Sequence, residues 1–185
     1  MQAAFAEAGD PLAYSGSIVV NGGFEVPAIG NGKWSDIQGY SDCGWTSSGV
    51  ADTVVLARKG SAIFEPTNGA YVVEGSQVLG VHPTTDKDIT DYYSVPMWAE
   101  QTVTAPFDGL YELTFWMTRR PGANRKEGAN NTRGEIFIDG ERVFYGAVST
   151  DHRSDQDFFK QFAVDVPLSE GTHVLRLAIF GNNAK

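Results

Sequence analysis

The sequence predicts an all-β, antiparallel sandwich, and three observations carry that expectation. Short runs rich in Val, Ile, Phe, Tyr and Thr are separated by Gly-, Asn- and Asp-bearing turns along nearly the whole chain. Residues 110–120 alternate strictly: Tyr111, Leu113, Phe115 and Met117 point one way, and Glu112, Thr114, Trp116 and Thr118 the other. No segment keeps a helical period beyond a turn or two. A chain of 185 residues fits one domain with a sizeable core.

The elements follow in order. Residues 1–16 read as an alanine-rich N-terminal arm, and residues 17–185 as a single sandwich domain. The β-branched run at 17–20 predicts a first strand feeding a tight turn at Asn21-Gly22-Gly23-Phe24-Glu25, with the glycines supplying backbone freedom. Phe24 is expected to plug the core while Glu25 stays polar. Trp34 and Trp45 read as packing residues. Strands are expected at 53–57, 61–65, 70–74 and 77–81, the third following the turn Pro66-Thr67-Asn68-Gly69. Residues 82–97 break the pattern as a long polar loop. Residues 100–104 form a strand closed by a turn at 105–109. The run at 110–120 is the clearest strand, and a second polar loop fills 121–134. Residues 135–139 and 142–145 form a hairpin around Asp139-Gly140-Glu141. A third polar loop covers 149–157. A strand at 159–166 then turns at 169–172 into the final run, 173–179.

Composition narrows the partners. The formal net charge is −9 and the pI about 4.7. Nucleic acid and anionic membranes need clustered Lys and Arg, so both are disfavoured, while neutral glycans or a cation are easier partners. No run approaches the ~20 apolar residues of a membrane helix. Residues 1–6 are too short for a signal peptide, so a secreted protein would have had its signal processed or left out. Cys43 stands alone, which excludes an internal disulfide, and it reads as a small buried residue beside Trp45.

Several segments together resemble the galactose-binding-like jelly-roll superfamily: Asn21-Gly22-Gly23-Phe24-Glu25, the run from Gly109 to Trp116, Ile138-Asp139-Gly140, and the run from Gly171 to Leu177. That superfamily includes non-catalytic carbohydrate-binding modules and cell-wall proteins with an Asn-Gly-Ser-Phe-Glu-type opening. The resemblance implies a secreted or cell-surface domain that binds glycan or polysaccharide. It also implies a structural calcium ion held partly by Glu25. The usual partner of that glutamate is an Asp on a last strand, which this sequence does not show after Phe180. Either the sequence is a piece of a longer protein, or residues 1–16 or a neighbouring subunit would fill the slot, and an open sheet edge would invite self-association.

The candidate contacts are aromatic and forked-donor side chains. Trp116 lies on the polar face of its strand, and Phe137 reads as facing the same way in the next. Exposed rings stack on the C–H face of a pyranose while polar neighbours bond its hydroxyls. Tyr92, Tyr93 and Trp98 lie in or just after one loop, and Arg119, Arg120, Asn124 and Arg125 open the next, offering stacking plus forked donors. His82, His152 and His173 lack metal-ligand spacing, with His173 expected at the surface or half buried. Asp86, Asp88 and Asp91 lack the Gly and bidentate Glu of a calcium loop. No nucleophile-elbow, zinc-protease or phosphate-loop motif is present. The favoured function is non-catalytic glycan binding. The alternative is a structural subunit of a surface layer, matrix or filament assembled by strand complementation. An enzyme on the same scaffold is the weaker third reading.

Overall fold

The computed structural model describes residues 16–48, 54–58, 75–81, 97–118, 132–148 and 159–180. Ten strands run in order: β1 (Trp34–Asp36), β2 (Thr46–Ser47), β3 (Val54–Arg58), β4 (Gln77–Val81), β5 (Met97–Ala105), β6 (Gly109–Met117), β7 (Thr132–Ile138), β8 (Glu141–Val148), β9 (Lys160–Leu168) and β10 (Gly171–Phe180). One 3-10 turn, Ile37–Gly39, lies between β1 and β2, capped by the Asp36 carboxylate on the Gln38 N–H. The strands form a five-stranded sheet ordered β2-β5-β10-β7-β8, a two-stranded sheet β6-β9 and a three-stranded sheet β1-β3-β4, all antiparallel.

Period-two patterning builds the layers. Ala99, Gln101 and Val103 of β5 point inward, as do Leu175 and Leu177 of β10 and Ile136 of β7. Tyr111, Leu113 and Phe115 of β6 meet them from the other sheet, as the alternation predicted, with Val166 and Leu168 of β9 alongside. Phe115, Phe144 and Phe162 interlock between the sheets, with ring centroids 4.8–5.5 Å apart. Met117 lies against Gly134, where any side chain would collide with its sulfur. The strand ends at Met97, Met117, Thr132, Val148, Lys160 and Phe180 therefore gather at one end of the sandwich. The turns after Ala105, Ile138 and Leu168 form the other end.

The β7–β8 hairpin turns on Asp139 and Gly140, with φ of +52° and +83°. This is the two-residue I′ connection that Asp-Gly favours, because its twist matches the flanking strands.

The opening segment departs from expectation twice. Residues 17–20 join no ladder. Val20 is held by a side chain instead: its N–H donates to Gln101 Oε1 at 2.8 Å, and its C=O accepts from Gln101 Nε2 at 2.8 Å. The left-handed positions of the turn are Asn21 (φ +50°) and Phe24 (φ +59°), not Gly22 or Gly23. Asn21 tolerates this because its side-chain amide spans the turn, bonding Val26 N–H, Val26 C=O and Cys43 C=O. Phe24 is fixed by burial against Trp45, 5.4 Å between ring centroids. Trp45 is core, but Trp34 is 40% exposed at the start of β1. Cys43 is buried beside Trp45, whose C=O accepts from its thiol. The strands expected at 61–65 and 70–74, residues 82–96, 121–131 and 149–157 of the polar loops and the arm up to residue 15 lie outside the described residues, while Met97 and residues 132–134, expected in loops, belong to β5 and β7.

Candidate binding face

The outward face of the five-stranded sheet carries a cluster of aromatic and charged side chains. Pairing register sets it. Thr46, Glu100, Arg176, Phe137 and Arg142 lie in one rank across β2, β5, β10, β7 and β8. The next rank brings Trp98, Glu135 and Tyr145 to the same face. A bulge between Ile136 and Phe137 keeps Phe137 opposite Arg142 rather than Val143.

Two arginine–glutamate pairs order this surface. The Arg176 guanidinium lies 4.6 Å from the Trp98 ring centroid, and its Nε and Nη2 both donate to Glu100 Oε2, at 2.7 and 2.6 Å. Arg142 lies 5.5 Å from the Tyr145 ring centroid and donates to Glu135 Oε1 at 3.3 Å. Each cation is held between a carboxylate and an aromatic ring, so the rings are pre-oriented. Tyr145 is 51% exposed, while Trp98 and Phe137 are half-buried. The face can stack a flat apolar ligand surface and offer donors and acceptors beside it.

The expected contact residues divide. Trp98 belongs to this face. Trp116 does not: it is 38% exposed on the outer side of β6, opposite Gln161 of β9, with the whole core between it and Trp98. Phe137 therefore does not share a surface with Trp116, because β6 and β7 lie in different sheets. Tyr92, Tyr93, Arg119, Arg120, Asn124 and Arg125 lie outside the described residues. Sequence reasoning missed Arg176, Glu100, Arg142 and Tyr145. Their outward alternation was legible, but the strand order that makes them neighbours was not.

Glu25 sits in a cradle of donors. Its Oε1 accepts from the Ser76 and Gln77 N–H groups, both at 2.8 Å, and its Oε2 from the Ser76 hydroxyl at 3.0 Å. Gly75, at φ +70°, leaves room for that carboxylate, which a Cβ would overlap. Calcium takes six to eight oxygen ligands. The groups meeting Glu25 among the described residues are hydrogen donors. No cluster of three His, Cys, Asp or Glu side chains able to hold a metal occurs among the described residues.

At the end formed by the turns after Ala105, Ile138 and Leu168, His173 is buried, not superficial. Its Nδ1 lies 2.7 Å from Asp139 Oδ2 and its Nε2 2.8 Å from the Ser169 C=O. Asp139 Oδ1 also accepts from the Val174 N–H at 2.8 Å. The bond to Asp139, and then that to Ser169, raises the His173 pKa above its ordinary 6.5 against the opposing effect of burial. The His173 bond, and then the Val174 N–H, lowers Asp139 below 3.8.

No family model matches the chain, and no curated protein matches it. Among solved structures, it is similar to the Stig cyclase Fisc from Fischerella sp. TAU, determined with an indole compound. Identity is 17%, 88% of this chain and 86% of that one are covered, and the TM-score is 0.54. A family 35 carbohydrate-binding module from Clostridium thermocellum gives 18% identity, coverage of 81% and 87%, and a TM-score of 0.45. Another from an environmental isolate gives 17% identity, coverage of 47% of this chain and 59% of that one, and a TM-score of 0.36. At 17% identity the likeness to Fisc concerns the fold alone.

Proposed function

We propose that this domain is a non-catalytic, extracellular glycan-binding module whose ligand lies on the outward face of the five-stranded sheet. The observation that supports it is the clustering of Trp98, Phe137 and Tyr145 with Arg176, Arg142, Glu100 and Glu135 on one exposed surface. Ring faces there receive the C–H side of a sugar, and the paired guanidinium and carboxylate groups bond its hydroxyls. Glu100 and Glu135 are each ion-paired to an arginine, an arrangement suited to holding a ligand rather than moving a proton.

A glycan array together with affinity electrophoresis on soluble polysaccharides tests this. Retardation by at least one polysaccharide, weakened by W98A or Y145A, supports it. Blank results in both assays overturn it.

A further inference from the structure

We propose that His173 is a proton-operated tether: as an imidazolium it ties the β9–β10 turn to the β7–β8 hairpin turn, and on losing a proton it lets the β9–β10 turn go. The geometry carries this. Both ring nitrogens face acceptors, Asp139 Oδ2 at 2.7 Å and the Ser169 C=O at 2.8 Å. A carboxylate and a carbonyl can only accept, so both contacts are hydrogen bonds only when both nitrogens bear protons. A neutral ring has one N–H for the two.

The surroundings decide which link is lost. Asp139 is the stronger acceptor, being charged, and it is locked in place: its N–H donates to the Val174 C=O at 3.0 Å and its Oδ1 accepts from the Val174 N–H. The remaining proton therefore stays on Nδ1. Nε2 then turns a lone pair toward the Ser169 oxygen, and that contact becomes repulsive. Beside the ladder pairings of Leu168 with Gly109 and Gly171 with Ala105, the turn keeps the Glu170 N–H donating to Asp108 Oδ1 at 2.6 Å.

The groups facing the ring are few. Across the ladder, β5 offers uncharged Val103. The hairpin turn offers Asp139, and the β9–β10 turn offers the Ser169 carbonyl. Glu141 and Glu170 are exposed on those same two turns, and Asp108 is exposed on the third. Of these charges, that of Asp139 favours the cation.

The sign follows. A histidine whose folded pKa is raised contributes stability fully below its unfolded value, near 6.5, and that contribution is lost as pH rises through the folded pKa. The test is an NMR titration of the intact chain, with His173 distinguished from His82 and His152 by the H82N and H152N variants, alongside thermal unfolding against pH for wild type and H173Q. The expected result is a His173 ring titrating above 6.5, with the Glu170 and Gly171 amide signals following it. The wild-type midpoint falls across that range more steeply than that of H173Q. A ring titrating at or below 6.5, silent Glu170 and Gly171 amides, or equal pH slopes in the two proteins overturns the proposal. If H173Q does not fold, the wild-type titration decides alone.

Discussion

The side-chain amide of Gln101 pairs with the backbone of Val20 as a strand neighbour would, giving its oxygen to the Val20 N–H and its nitrogen to the Val20 C=O, both at 2.8 Å. The same nitrogen reaches the Gly44 C=O at 2.7 Å. One buried glutamine thus joins two segments that form no ladder with each other. Gln77 does similar work, bonding Phe24 C=O, Pro27 C=O and the Ile29 N–H. The opening turn is held by side chains of β4 and β5.

Q101A should therefore destabilise the fold by about 2–3 kcal/mol, because it strands buried backbone groups. Q101E should cost at least as much, since a carboxylate cannot donate to the Val20 and Gly44 carbonyls. Urea unfolding of the two variants against wild type measures this. A change below about 0.5 kcal/mol in both would show that the pairing is replaceable by water.

The Glu25 cradle makes a second prediction. G75A places a methyl against the carboxylate at a left-handed backbone position, and should lower stability by about 1–3 kcal/mol. Chelator should leave the melting midpoint of the wild type where it is, because the described partners of Glu25 are donors. A clear downward shift with chelator, restored by added calcium, would instead place an ion there.

The two exposed tryptophans separate the binding readings. W98A should weaken glycan binding by about tenfold or more, given the energy of a lost stacking contact. W116A should leave it unchanged, because Trp116 lies on the outer side of the other layer. Isothermal titration with the best ligand from the array reports both. Loss through W116A with W98A silent would move the site to the β6–β9 face.

Asp139 sets the acid side of stability. Its folded pKa lies below 3.8, so its contribution is present above that value and lost as pH falls through the folded pKa. D139N should unfold at a midpoint lower than wild type near neutral pH, and the two should converge as pH falls below the wild-type carboxyl's folded pKa. Thermal scans down to strong acid check the convergence.

Much of the local structure was legible in sequence. The alternation of Tyr111, Leu113 and Phe115 against Glu112 and Trp116 gave the strand and its buried face directly. Asp139-Gly140 gave the hairpin, because few dipeptides accept two positive φ values in succession. The β-branched run 17–20 resembles a strand, yet Val20 is held by the side chain of Gln101, and no local pattern announces a partner that distant. The candidate face was half visible: Trp98 drew attention as an aromatic, while Arg176 looked like any outward charge on a strand.

The sequence by itself determined the long strands from residue 97 onward, the hairpin turn and the inward side chains of those strands, because each depends on local steric preference and a two-residue period. Only the tertiary structure decided which strands became neighbours. That order set Arg176 of β10 between Glu100 of β5 and Phe137 of β7, put Trp116 on the far layer, and closed His173 against Asp139 across residues 34 apart in sequence. Strand order follows from how the whole core closes, a long-range property in which each pairing depends on all the others.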